Sequence, residues 1–320
     1  MRVKAAVTGA NGFVGTHTIQ RLSAANYEPV GIVRSKEKAV VVKDAGGTPV
    51  VVEDLLDEDA LAHAFKGCET VFHFVGESFQ TPENTFEKFV HQVTRSVARA
   101  SAAAGVERLV NNSGLGVREE NTNSFFLKQY MGEAEAKKLL RELGFGDKQE
   151  YFESKAAAER EIKKSGVDHT IFRPSFMIGP GDVMNPPIKK KLLERRPVVI
   201  QGNEKTKFQP IHIDDATGIY LECAQGKGRN KTFDLVGQRE ITVADYVRLA
   251  GKILGKKPLI EFEDVKTALR NAARPGAQRT LDEVIVFICN EVADPRPIEK
   301  EFNVKLTSVE DALRKTLGAT

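Results

Sequence analysis

Across residues 1–115, short β-branched runs alternate with longer amphipathic ones, and this rhythm restricts the fold more than any other feature of the chain. "VKAAVTG" precedes "FVGTHTIQRLSAA", "PVGIVR" precedes "KEKAVVVKDA", and "TPVVVED" precedes "EDALAHAFKG"; "TVFHFVG" and a long helical run then lead to "ERLVNNSG". Five strands with helices between them describe a parallel sheet covered on both faces. Right-handed crossovers make that sheet doubly wound, of the Rossmann type. The pattern resumes with a helix at 151–165 and the run "DHTIFRPS". Beyond Gly179 the rhythm changes, and Pro186, Pro187 and Pro197 interrupt short elements. The expectation is an α/β dinucleotide-binding domain at 1–178 and a smaller α+β substrate region at 179–320, some of whose elements return to the first domain. Helical periodicity recurs there in "VADYVRLAGKILG" and "SVEDALRKTLG".

Composition narrows the function classes. A chain of 320 residues with 41% hydrophobic content can bury a large core. Lys+Arg 47 against Asp+Glu 44 leaves a net charge of +3, too balanced for a nucleic-acid or membrane-surface protein by bulk charge. Cys68, Cys223 and Cys289 are far apart, and the six histidines show no metal-site spacing, so neither a disulfide framework nor a bound metal is expected. With no signal-peptide pattern and no spanning apolar run, the chain reads as a cytoplasmic protein without membrane insertion.

The strongest local signal is "VTGANGFVG", in which Gly9, Gly12 and Gly15 occupy the turn from the first strand into the first helix. Glycines there let the backbone approach a pyrophosphate, and the helix N-terminus offers it free N–H groups and a positive dipole end. The spacing is GxxGxxG, distinct from the GxGxxG fingerprint. At the end of the second strand, where an NAD-selecting site often carries an acid, this chain has Arg34, followed by Lys36 and Lys38. A guanidinium suits a 2′-phosphate, so NADP is expected in preference to NAD. Asp54 and Leu55, ending the third strand, either flank the adenine or open the next helix as part of its cap.

In "EYFESKAAAER", Tyr151 and Lys155 fall one turn apart on one helix face. A phenol ordinarily titrates near pH 10, and a neighbouring ammonium favours its ionised form, so the pair can exchange a proton with a substrate hydroxyl. Ser113 ends the fifth strand at the carboxyl edge, where it can hold the substrate oxygen. "AAAER" reads as the packed and solvated remainder of the helix.

Taken in order, "TGANGFVG", "DLLD", "FHFVG", "NNSG", "YFESK", "FRPS" and "FQPIHIDDAT" resemble the short-chain dehydrogenase/reductase superfamily, in its extended and atypical branches with the NAD-dependent epimerase/dehydratase proteins. "FRPSFMIGPGD" and "KFQPIHIDDAT" look most like the subgroup related to the nucleotide-binding accessory subunit of respiratory complex I. The resemblance implies Ser113, Tyr151 and Lys155 as the catalytic set, with Lys155 also on the nicotinamide ribose. It implies cofactor contacts from the turn residues Gly9, Asn11, Gly12, Phe13 and Gly15, from Phe74, Val75 and Gly76, and from Pro174 and Ser175. The resemblance also points to NADP, and related folds make a homodimer a fair expectation.

Two features depart from the family pattern. The interval between Ser113 and Tyr151 is long, and in it Ala136, Leu139, Leu140 and Leu143 mark an amphipathic helix within an insert at about 118–150. That helix either lids the substrate pocket, contacts a second subunit or extends the core. On the substrate side, Lys207, Arg274 and Arg279 are candidates for an anionic substrate group, but their spacing singles none out. Asp214 and Asp215 read as caps of the helix that follows "PIHIDD". Two functions fit: an NAD(P)-dependent oxidoreductase or epimerase/dehydratase acting on a hydroxyl or carbonyl carbon of a small molecule such as a nucleotide sugar, or a non-catalytic NADP(H)-binding structural subunit or redox sensor.

Overall fold

The computed structural model describes residues 2–76, 80, 84–117, 121–277 and 279–318. Strands β1 (Lys4–Thr8), β2 (Glu28–Val33), β3 (Thr48–Val51), β4 (Cys68–His73), β5 (Arg108–Asn112) and β6 (Asp168–Pro174) lie in one seven-stranded sheet. The seventh strand, Lys231–Leu235, comes from the C-terminal region and pairs parallel with β6. The sheet order is Lys231–Leu235, β6, β5, β4, β1, β2, β3, and every pairing is parallel. Strand order therefore reverses between β1 and β4, the position at which such sheets open a ligand crevice at their carboxyl edge.

Alternation along the strands divides the core. Ala5 and Val7 face α1 (Phe13–Ala24) through Ile19 and Leu22. Ala6, with Val71 and Leu109, faces the other side, built from α3 (Glu58–Phe65), α4 (Val93–Ala103) and α7 (Glu150–Lys164). That is the period-2 consequence of a pleated strand with both faces buried. A short helix, α2 (Ala39–Asp44), connects β2 to β3, and a π-helical segment, Glu87–Gln92, leads into α4. Asp57 caps α3 by accepting from Ala60 N, so the acid that opens "DEDALAHAF" is a cap.

The insert holds α5 (Asn123–Leu127) and α6 (Glu133–Glu142). Its ends are pinned together: Gln149 N donates to Asn121 O at 3.0 Å and Asn123 N donates to Asp147 O at 2.7 Å. Ala136, Leu139 and Leu140 are buried, as their spacing predicts, in a third core cluster shared with α11 (Val265–Ala272) and α12 (Leu281–Ile288). Tyr130 and Gln129 fasten the insert to the end of α12 by donating to Ile288 O at 2.7 and 2.8 Å. The insert thus extends the core between the start of α7 and the C-terminal helices.

The remaining C-terminal residues form short two-stranded sheets and helices. Pro186 and Pro187 lie in the opening turn of α8 (Asn185–Leu193) and do not break it, because a first-turn N–H has no intrahelical partner to lose. In α9 (Ile213–Ala224) the cap is His212, which accepts from Asp214 N at 3.2 Å. Asp215 instead binds Thr307 through its N and Oγ1 at 2.8 Å each, which corrects the expected capping role of the aspartate pair. No helix among the described residues is long and apolar enough to cross a membrane.

Candidate active site

The turn after β1 is built for close approach. Gly9 has φ +69, and a Cβ on it would meet the Phe74 carbonyl carbon at 2.9 Å. A Cβ on Gly15 would lie 2.2 Å from Gly9 O, so α1 seats on the loop only as glycine. Gly12 caps α1 with no side chain, which leaves the first-turn N–H groups to an anion.

A cleft of about 230 Å³ opens there, lined by Gly9, Asn11, Gly12, Arg34, Leu55, Phe74, Val75 and Gly76, all expected, and also by Ile32, Val33, Lys38 and Phe89. These residues fit a dinucleotide: a bare glycine cradle, a helix N-terminus and a cationic end, with no acid in the lining. Arg34 lies 5.0 Å over the Phe89 ring, which holds the guanidinium in place without neutralising it. Of the expected contacts, Phe13, Gly15, Asp54, Lys155, Pro174 and Ser175 lie outside this lining. Gly15 is buried beneath the loop; Phe13 packs edge-on against His17 at 5.2 Å; and Asp54 Oδ1 accepts from Leu56 N at 2.9 Å in its own turn.

At the inner end, a Cβ on Gly76 would stand 3.1 Å from Lys155 Nζ. Lys155 donates to Asn112 O at 3.3 Å and is 7% exposed. Burial depresses its ammonium to about 8, with Glu159 opposing the drop. On the β4 side, His73 sits between Thr8 Oγ1 at 2.7 Å and Thr94 Oγ1 at 2.9 Å. Burial first, then Lys155, pushes it down to about 3, so it is neutral at physiological pH.

Tyr151 packs edge-on against Phe86 and Phe152, each at 5.2 Å between ring centroids, and Lys155 Nζ is 5.6 Å from its ring centre. A Cβ on Gly114, the neighbour of Ser113, would be 3.8 Å from Tyr151 Cε1. The insert has therefore not carried Tyr151 away from the end of β5. Two details differ from the sequence reading. Burial first, then Glu291 and Cys289, raises the phenol well above its usual range, where a lowering by Lys155 was expected. Ser113 Oγ, in a residue 4% exposed, lies beside the Glu159 carboxylate, whose charge it favours, and makes no hydrogen bond to Tyr151.

Within "AAAER", the packed and solvated remainder of the helix, Glu159 is on the packed side, its side chain 4% exposed. Arg173 of β6 grips it in a fork, with Nε at 2.8 Å and the second nitrogen at 2.7 Å. Pro174 O accepts from Leu115 N at 3.3 Å, and Ser175 Oγ donates to Glu291 O at 3.2 Å, so both continue β6 along the carboxyl edge. Asp282, in the first turn of α12, is buried, and burial with Glu150 lifts its carboxyl to about 6.

A larger cavity, about 490 Å³, lies between α11, α12 and the strand Val198–Gln201, and its lining includes Lys191, Arg274 and Arg279. Lys207 is not in that lining; it pairs with Glu240. Arg279 donates to Gln201 Oε1 at 2.8 Å and stacks on Phe287 at 4.6 Å. Among the described residues, no cluster of His, Cys, Asp or Glu could hold a metal ion.

Glycine cradle, parallel sheet and cationic cleft together define a nucleotide-binding oxidoreductase type of fold. The family model described as NAD(P)H-binding matches residues 9–183, and the chain belongs to that family. It is 23% identical over 309 residues to NADH dehydrogenase [ubiquinone] 1 alpha subcomplex subunit 9, mitochondrial, of Arabidopsis thaliana, covering 94% of this chain and 68% of that protein. It is 26% identical over 265 residues to ceramide reductase of Caulobacter vibrioides, covering 81% and 73%. Among solved structures, a UDP-glucuronic acid 4-epimerase variant from Bacillus cereus, in complex with a fluorinated UDP-sugar and NAD, superposes with TM-score 0.74. The two are 17% identical, over 99% of this chain and 98% of that one. MoeE5 in complex with UDP-glucuronic acid and NAD gives 0.71 at 20% identity, covering 98% of each.

Proposed function

We propose that the protein is an NADP(H)-dependent oxidoreductase or epimerase that acts on a hydroxyl or carbonyl carbon of a small molecule, with Tyr151 as the proton-transfer group. The observation that carries this reading is the meeting of Gly76 and Lys155. Gly76 lines the cofactor cleft, and the Lys155 ammonium beside it is one helical turn from Tyr151.

When bound, the nicotinamide cofactor supplies or accepts the hydride. Gly9, Gly12 and the start of α1 hold the pyrophosphate, and Arg34 and Lys38 hold a 2′-phosphate. Phe74, Val75, Gly76 and Lys155 orient the nicotinamide half, with Pro174 and Ser175 at the neighbouring strand end. Tyr151, kept protonated by burial, gives its proton to a carbonyl oxygen as charge develops on it, which favours the reducing direction. Arg274 and Arg279, in the larger cavity, suit an anionic part of the substrate.

A second reading, an NADP(H)-binding subunit or sensor without turnover, has one observation in its favour: Ser113 Oγ lies beside Glu159 and not in a hydrogen bond to Tyr151. Calorimetric titration with NADPH and NADH, followed by cofactor oxidation against a panel of carbonyl compounds and nucleotide sugars, separates the two. Turnover supports the enzyme; tight NADPH binding with no turnover across the panel supports the subunit or sensor.

A further inference from the structure

We propose that Glu159, clamped by Arg173, is a positioning residue that holds Lys155 in its ammonium form at the cofactor cleft. The inference rests on the reading above that Lys155 serves the cofactor. Residues 151, 155 and 159 recur every four positions and so share one face of α7. Lys155 is buried with a neutral carbonyl, Asn112 O, as its hydrogen-bond acceptor. A buried ammonium in that setting sheds its proton unless an opposite charge is near. Glu159 supplies that charge one turn along the helix.

The carboxylate is itself secured. Burial raises it, but the Arg173 fork, the Ser113 hydroxyl and Lys163 together bring it below its usual range, so it stays ionised. Lys163 approaches Glu159 at 3.8 Å from the solvent side. The result is a row of alternating charge, Lys155, Glu159, Arg173, running from the cofactor cleft into β6. The other groups around Lys155 do not replace it. His73 of β4 is neutral, and Tyr151 is protonated. On α4 and the π-helical segment, which pack across α7, His91 pairs with Glu87 and Arg99 with Glu58. The remaining basic groups there, Lys88 and Arg95, carry the same sign of charge and cannot stabilise an ammonium.

A merely structural ion pair predicts lost stability on truncation and nothing more. The positioning role predicts that the proton affinity of Lys155 changes, in opposite directions for the two partners. The test is a side-chain NMR titration of the full chain without cofactor, labelled with 13C and 15N in lysine, the Lys155 signal being identified by its loss in Lys155→Arg. The wild type should titrate near 8. Glu159→Gln should weaken the proton affinity of Lys155 by about tenfold or more, one pKa step. Arg173→Gln, which leaves Glu159 without its fork, should strengthen it, and this second variant serves if the first does not fold. A Lys155 titration unmoved in either folded variant overturns the proposal. Because the titration needs no hydride transfer, it stands or falls separately from the proposed activity: a shifted Lys155 in a protein without turnover would sink the enzyme reading alone.

Discussion

Gly76 and Lys155 meet at the end of the glycine-lined cleft, with 3.1 Å between the Cβ position of the glycine and the lysine Nζ. The contact joins the glycine-turn side of the sheet to the helix that carries Tyr151. Gly76→Ala should displace the ammonium without unfolding the chain, because the crowded atom is the end of a flexible side chain. NADPH affinity measured by fluorescence titration should fall roughly tenfold, about 1.4 kcal/mol. An unchanged affinity would separate Lys155 from the cofactor.

In the proposed reading, Arg34 sets the preference for NADP over NAD. Hydrogen bonds to charged groups contribute about 1.5–3 kcal/mol, so Arg34→Ala should weaken NADPH binding by roughly 10- to 100-fold and leave NADH binding nearly unchanged. Equal losses for the two cofactors, read by calorimetry, would place the guanidinium on something other than the 2′-phosphate.

Gly15→Ala should harm folding before function. The added methyl would sit 2.2 Å from Gly9 O, a backbone atom that cannot swing aside. Overpacking of this kind costs about 1–3 kcal/mol, seen as a lower urea midpoint with an unchanged slope.

The buried basic groups fix two pH windows of stability. His73 titrates near 3 in the folded chain and near 6.5 when unfolded. The unfolded chain therefore binds more protons between those values, and stability is lost as pH falls from 6.5 towards 3. Lys155 has its folded value near 8, below an ordinary 10.5. The penalty for its buried charge is fully present below pH 8 and is relieved as pH rises towards 10.5. Lys155→Met should thus be more stable than the wild type at neutral pH, with the difference shrinking in urea melts at alkaline pH.

Much of this architecture is legible in the residues themselves. Strands β1 to β6 announce themselves because both faces of a parallel sheet are apolar, and the glycine turn because it needs space that no Cβ leaves. The amphipathic stripe of Ala136, Leu139 and Leu140 marks a buried face, but nothing local says that α11 and α12 cover it. Phe89 lines the glycine-turn cleft only because a π-helical segment brings it under Arg34, a tertiary contact without a sequence period. Glu159 looks solvated in a charged, alanine-rich run, and its burial depends on Arg173, which lies on a different strand. Ser113 directly follows β5, but no local pattern tells that its hydroxyl lies beside Glu159.

The most direct test of the central claim compares wild-type protein and Tyr151→Phe for NADPH oxidation across carbonyl and nucleotide-sugar substrates, with NADPH affinity measured alongside. General acid–base catalysis contributes roughly 10²- to 10⁴-fold, so the account predicts wild-type turnover, a kcat reduced by about that factor in Tyr151→Phe, and unchanged NADPH affinity. Equal turnover by the two proteins, or none by the wild type on any substrate, would contradict it.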